Sequence, residues 1–311
     1  MSEHVVAIVN PRASNGACGR RWPKLEPELR KHWPEVEVWL TEAPRHATVL
    51  ARTALERGAS LVIGVGGDGT NNEVLGGFVD PETGRNDFPE AALGIVAAGT
   101  GGDFQRMFGP LDAAAQIVRL AGAPVRTIDY GLARFTDDEG RPRMRPFLNI
   151  ASVGVSGVVV RNVSASRRPF GPTLAYVDGA LRAIASWRNV PVRVRIDDGP
   201  ARELALTLLC IGNGQYFGGG MWACPSAGLE SGKLEALLCD DLTRMALVGA
   251  LARSFRGRHV GRPGITSQAV STIEIEPIGD VEVLIDVDGE QPGRLPARFE
   301  VFPQALRVRV A

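Results

Sequence analysis

The apolar run Leu61-Val62-Ile63-Gly64-Val65 passes without a break into Gly66-Gly67-Asp68-Gly69-Thr70-Asn71-Asn72-Glu73. A buried strand that stops at clustered glycines and then opens a helix fits few folds. The glycines let the backbone come close to an anion, and the first helical turn presents N–H groups that lack partners of their own. The chain does this twice, because Leu93-Gly94-Ile95-Val96-Ala97-Ala98 leads into Gly99-Thr100-Gly101-Gly102-Asp103-Phe104. A single turn of this kind is most simply a helix start, with Asp68 or Thr70 as its N-cap. Two of them on one parallel sheet would meet at its carboxyl edge, where open α/β folds bind ligands. They would offer backbone donors to phosphates and carboxylates to a magnesium ion. No Gly-Lys-Ser/Thr follows, so neither loop is a Walker P-loop.

The surrounding pattern supplies that sheet. His4–Val9, Val36–Leu40, Leu61–Val65, Ala92–Val96 and Val125–Ile128 read as strands. Arg20–His32, Ala47–Glu56, Asn71–Phe78 and Ala113–Leu120 read as helices. Such alternation predicts a parallel sheet with helices on both faces. After Asp129-Tyr130-Gly131 the texture becomes β-rich: Phe147–Ala151, Val190–Ile196, Glu203–Ile211, Lys233–Leu238, Ser271–Glu276, Val281–Val287 and Arg298–Phe302. Leu174–Trp187 and Leu242–Ser254 interrupt it as helices. The fold expected is an α/β domain over 1–131, then an antiparallel β-sandwich over 132–299.

Charge and composition exclude other classes. Lys+Arg and Asp+Glu are both 35 in 311 residues, so bulk charge is not a means of coating nucleic acid. No apolar run approaches the ~20 residues of a membrane-spanning helix. Met1-Ser2-Glu3-His4 does not open a secretory leader. Cys18, Cys210, Cys224 and Cys239 form no Cys-x-x-Cys pair, which suits reduced thiols in a cytoplasm.

Gly66-Gly67-Asp68-Gly69-Thr70 with Asn72-Glu73 resembles the nucleotide signature of the diacylglycerol kinase catalytic-domain family, whose superfamily includes sphingosine and ceramide kinases. Gly99-Thr100-Gly101-Gly102-Asp103-Phe104 resembles its second motif. Other blocks follow in order: Asn10-Pro11, Thr41, His46-Ala47, Asp129-x-Gly131, Phe147 to Gly154, Gly171 to Tyr176, Asn213 to Met221, Pro225-x-Ala227 and Val287-Asp288-Gly289-Glu290. The resemblance spans nearly the whole chain and points to bacterial soluble lipid kinases.

The resemblance implies a three-layer nucleotide domain and a β-sandwich lipid-substrate domain with the active site in the cleft between them, and a tail over 300–311 that returns to the first. It assigns ATP to Asn10, Pro11, Arg12, Ala13, Ser14, Thr41, Gly66, Gly67, Asp68, Gly69, Thr70, Asn71, Asn72, Gly99 and Thr100. It assigns Mg2+ to Asp68, Asp103 and Asp129, since phosphoryl transfer needs a cation on the transferring group. It places the proton acceptor at Glu290, with Asp288 assisting. Taken as residues alone, Asp288-Gly289 between strands is most simply a hairpin turn. The implied acceptor is a lipid hydroxyl, diacylglycerol first, reached by peripheral docking at a membrane. An NAD kinase shares the Gly-Gly-Asp-Gly-Thr loop, and a nucleotide-binding regulatory module without catalysis is the other alternative. The sequence leaves oligomeric state open, a homodimer included.

The chain departs from the family pattern at Gly102, where Asn is usual, at Ala97, where Pro is usual, and at Ser231, where an accessory metal site has a carboxylate. Phe217, Met221 and Trp222 are candidates for an acyl channel. Two arginine-rich runs, Arg161 with Arg167 and Arg168, and Arg253 to Arg262, are candidates for headgroup contact.

Overall fold

A computed structural model describes residues 3–98, 102–109, 111–165 and 172–310, with backbone alone at 163–165 and 172–176. Gly99, Thr100, Gly101, Arg167, Arg168 and Gly171, and the side chain of Tyr176, lie outside the described set. The chain divides into two compact units, Met1–Ile128 with Gln304–Ala311, and Asp129–Pro303.

In the first unit, strands β1 (Val5–Val9), β2 (Glu37–Leu40), β3 (Leu61–Gly66) and β4 (Ala92–Ala97) alternate with helices α1 (Ala13–His32), α2 (His46–Glu56), α3 (Asp68–Phe78) and α4 (Ala113–Gly122). The sheet runs β2–β1–β3–β4, all parallel. Arg307–Arg309 add a fifth parallel strand beside Ala92–Gly94. Val5, Ala7, Leu61, Ile63 and Val65 pack with Cys18, Trp22 and Leu29 of α1 and Ile117 and Leu120 of α4. The alternate residues Val6, Ile8, Val62 and Leu93 are equally buried, on the opposite face. Helix α1 starts seven residues before the predicted Arg20, because Ser14, Asn15 and Gly16 make a left-handed turn ahead of the regular helix.

The elements of the second unit are β5 (Arg126–Thr136, entered from the first unit), β6 (Pro142–Phe147), β7 (Ile150–Gly154), α5 (Val155–Ala165), α6 (Pro172–Ser186), β8 (Val190–Ile196), β9 (Arg202–Gly212), β10 (Tyr216–Phe217), β11 (Met221–Trp222), β12 (Leu234–Asp240), α7 (Arg244–Ser254), β13 (Ile265–Val270), β14 (Thr272–Pro277), β15 (Leu284–Val287) and the part of β16 (Glu290–Arg309) up to Pro303. The pairings are antiparallel. Strand β9 pairs with β8 in its first half and β7 in its second. Strand β16 pairs with β15 and then β14. Partner-switching strands of this kind make the corners of a sandwich. Val153, Leu206, Leu209, Ile273, Ile285 and Phe299 fill the space between the layers.

Two differences from the predicted elements have physical causes. The predicted strand Phe147–Ala151 breaks at Leu148 and Asn149, whose amides donate to the Asp288 carboxylate instead of extending a ladder. Helix α5 is β-branched and reads poorly as a helix, yet it packs on β15 and β7. Gly157 allows this approach, since a Cβ there would lie 2.6 Å from Leu284 Cβ.

Candidate active site

The first unit ties its glycine loops together. Asn10 Oδ1 accepts from the Arg12 amide at 3.1 Å, and Asn10 Nδ2 donates to Thr70 Oγ1 at 3.0 Å. Gly66 has no room for a side chain, because a Cβ would sit 2.5 Å from Thr70 Oγ1. At Gly67 a Cβ would meet nothing within 4 Å, so the space at the start of α3 is open. Gly67 is the N-cap, which corrects the expectation of Asp68 or Thr70 in that role. Asp68 is the first helical residue, and its carboxylate faces the second loop. It accepts from the Asp103 amide at 3.0 Å and the Phe104 amide at 3.3 Å.

The other residues expected in this unit fall around that junction. Asp103 is largely buried and its Oδ1 accepts from Arg106 Nε at 3.1 Å. Thr41 is buried at the end of β2, with its amide on Val9 O at 2.9 Å. Thr70, Asn71 and Asn72 are buried, while Arg12 is exposed and Pro11, Ala13 and Ser14 are half-buried. Gly102 has φ +144°, a backbone conformation that residues with a side chain rarely adopt. Two side chains have roles that the sequence did not disclose. Arg21 Nη1 donates to Ala98 O at 3.2 Å, at the entry to the second loop. Glu73 accepts from the amides of Arg45 (2.9 Å) and Ala47 (3.2 Å), closing the start of α2.

In the second unit Asp288 and Gly289 form a two-residue turn between β15 and β16. Their φ values of +48° and +83° are both positive, as a type I′ hairpin requires. The Asp288 carboxylate accepts from the amides of Leu148 (2.9 Å), Asn149 (3.1 Å) and Ile150 (3.0 Å). Glu290 leaves the turn half exposed, and Arg145 Nη1 holds its carboxylate at 2.8 Å. Beneath the turn lies Asp286, 1% exposed, accepting from the Gly289 amide at 2.8 Å and from Ser152 Oγ at 3.1 Å. Burial, with the charges of Asp288 and Glu290 adding to it, pushes the Asp286 carboxyl up to about 7. Asp286 was not singled out from sequence; a carboxylate inside the apolar run Val283–Val287 was the available signal.

Asp129 also belongs to the second unit. It is fully buried in β5, and its Oδ2 accepts from the Gly232 amide at 2.7 Å. The neighbouring Ser231 hydroxyl donates to Lys233 O at 2.8 Å and accepts from the Lys233 amide at 3.2 Å, closing its own turn. Among the described residues no set of three or more His, Cys, Asp or Glu side chains is preassembled around a metal position.

An apolar cavity of about 70 Å³ lies between the sheet and helices α5, α6 and α7 of this unit. Val159, Ile184, Phe217, Met221, Leu247 and Leu251 line it, with Cys210 and Cys239 in the sheet wall. Trp222 is not in the lining; its indole donates to Gln215 Oε1. All four cysteines are buried and free, and burial pushes the thiols up.

An α/β unit with a glycine loop opening α3 thus precedes a β-rich unit that carries an acidic hairpin. Residues 4–133 match the diacylglycerol kinase catalytic domain, and residues 149–310 match the YegS C-terminal NAD kinase beta sandwich-like domain. The chain therefore belongs, through the half that carries the second match, to the family with the YegS C-terminal NAD kinase beta sandwich-like domain, and its N-terminal part matches a diacylglycerol kinase catalytic domain. It is 29% identical over 308 residues to a diacylglycerol kinase of Mycobacterium tuberculosis, covering 98% of this chain and 94% of that one. It is 27% identical over 310 residues to a diacylglycerol kinase of Staphylococcus saprophyticus, covering 99% and 95%. A solved structure of a diacylglycerol kinase from Bacillus anthracis shares the fold, with a TM-score of 0.71 at 22% identity over 99% of this chain and 97% of that one. Among the described residues no helix is long and apolar enough to cross a membrane.

Proposed function

We propose that this chain is a cytoplasmic, Mg2+-dependent kinase that works at a membrane surface and transfers the ATP γ-phosphate to a lipid hydroxyl, with diacylglycerol the first candidate and phosphatidic acid its product. The observation that carries the acceptor class is the apolar cavity in the second unit. Its lining has almost no polar surface, and at about 70 Å³ it has room for the end of an acyl chain and none for a dinucleotide. The diacylglycerol kinases among the relatives support the same choice.

The first unit would hold the nucleotide. The open space at Gly67, the α3 N-terminus and the Asn10–Thr70 bridge suit a run of phosphates. The loop 10–14, Thr41, the stretch 66–72, Gly99 and Thr100 are the residues assigned to it. Asp68 and Asp103 suit a divalent ion held largely through water, because amides and Arg106 already engage their oxygens and magnesium keeps most of its waters. Asp129 is the third candidate. When bound, the ion would neutralise charge on the transferring phosphoryl group.

Glu290 would take the proton of the acceptor hydroxyl. It is exposed enough to meet a substrate, and Arg145 fixes its carboxylate. Asp288 is committed to three amides, so its part is to hold the 148–150 segment against the hairpin. Transfer of labelled phosphate from ATP, screened against a lipid panel and NAD, tests the reading. The expected result is magnesium-dependent transfer to diacylglycerol or a related lipid alcohol. Transfer to NAD alone would favour the NAD kinase reading, and transfer to nothing a binding module.

A further inference from the structure

Between Leu242 and Ile273 the chain contains five arginines and no acidic residue, in a protein with zero formal net charge. The five are Arg244, Arg253, Arg256, Arg258 and Arg262, all exposed. Several exposed arginines elsewhere in this unit are matched to acids, Arg193 to Glu203 and Glu276 and Arg298 to Glu274, while, among the described residues, Arg188 and Arg202 stand singly and not in a cluster. Here, among the described residues, no guanidinium has an acidic partner; Arg244 turns to Trp187 O and Arg253 to Gly249 O. His259 adds no charge near neutral pH, because burial lowers its pKa while its Nε2 meets Ala223 O at 2.9 Å.

The same segment exposes large apolar side chains. Met245 is 80% exposed, and Phe255 and Val260 more than a third. Helical spacing puts Met245 and Ala252 opposite the buried stripe Leu247, Ala250 and Ser254. That stripe is one wall of the apolar cavity. Helix α7 therefore shows solvent a face of arginine and methionine and shows the cavity an apolar one.

We infer that the outer face of α7 together with residues 255–262 is a docking surface for an anionic phospholipid bilayer. The arginines would meet headgroup phosphates, and Met245, Phe255 and Val260 would enter the interface, the arrangement of interfacial amphipathic helices. Nucleic acid would use the charge but leave Met245 and Val260 without a role. The inference rests on the lipid-kinase reading for its purpose, yet it can be measured without turnover.

The test is flotation of the full chain with vesicles of phosphatidylcholine alone and of phosphatidylcholine mixed equally with phosphatidylglycerol, without ATP. Binding should require phosphatidylglycerol and fade as salt rises. The double variant Arg256→Gln/Arg258→Gln should lose about thirtyfold in vesicle affinity, at about fivefold for each charge removed. Met245→Glu should weaken binding too. Both should keep the parent melting temperature and the parent turnover on a short-chain diacylglycerol below its micelle concentration. Unchanged affinity in both variants, or equal binding to phosphatidylcholine alone, would overturn the inference. Equally tight binding to duplex DNA, lost in the same variant, would overturn it in favour of nucleic acid. Vesicle binding as expected with no lipid phosphorylated would leave the surface standing and remove the kinase reading.

Discussion

Asp286→Asn should make the protein more stable at pH 8 and leave it little changed at pH 4. The carboxyl is fully buried below the hairpin, and its pKa rises from 3.8 to about 7, mainly through burial. In the unfolded chain the group ionises near its ordinary value. Between pH 4 and 7 the folded state therefore holds a proton that the unfolded state has released. Stability from this group is fully present below pH 4 and is lost as pH climbs towards and past 7. Three units at 1.36 kcal/mol each set an upper bound of about 4 kcal/mol on the loss. Asn has the same shape, so Oδ1 still accepts from the Gly289 amide while Nδ2 can donate to Ser152 Oγ. The assay is urea unfolding of both proteins from pH 4 to pH 8, read as the difference between the two free-energy curves, so that other titrating groups cancel. The expected difference grows with pH in favour of Asp286→Asn, by about 2–4 kcal/mol over the range. Parallel curves would refute the reasoning, since the carboxylate would then be no costlier folded than unfolded.

Glu290→Gln should keep nucleotide affinity and lose about 10²–10⁴-fold in turnover on a competent lipid, the usual cost of a missing base; a loss below about threefold would point back to a plain hairpin residue. Asp68→Ala should abolish phosphoryl transfer in a folded protein and also release the amides of Asp103 and Phe104, visible as faster hydrogen exchange there; near-parent turnover would remove Asp68 from the chemistry. Gly131→Ala should cost about 1–3 kcal/mol or more in urea unfolding, because a Cβ would lie 2.0 Å from Phe147 Cζ in a buried cross-strand pair.

The α/β half was legible because its signals are local. Buried runs such as Leu61–Val65, glycine stops and helical spacing identify strand and helix within a few residues. The hairpin at Asp288-Gly289 was legible for the same reason, since Asp-Gly between apolar runs is a turn signature. What escaped depends on distant partners. Asp288 breaks the strand at Leu148 from 140 residues away. Glu73 closes the start of α2 through Arg45 and Ala47, a bond between two separate motifs. Helix α5 was missed because Val155–Ala165 has β-branched propensity that packing against β15 overrides. The cavity needed three helices and a sheet at once, so no single aromatic in the Asn213–Met221 block could announce it.

The strand β16 has a consequence for synthesis. Residues 304–310 belong to the first unit, where Arg307–Arg309 pair with Ala92–Gly94 and Arg309 binds Glu3. As the chain leaves the ribosome, β4 emerges more than 200 residues before its partner, or ~10–40 s earlier at ~5–20 residues per second. Throughout that interval the β4 edge has amides and carbonyls with nothing to pair them, the condition under which sheet edges recruit foreign strands. The Asp129–Pro303 unit can fold once its own residues are out, whereas the unit begun first is completed last. Stalled or clipped chains lacking residues 304–310 should therefore show their defect at Ala92–Gly94, in the half of the protein made earliest.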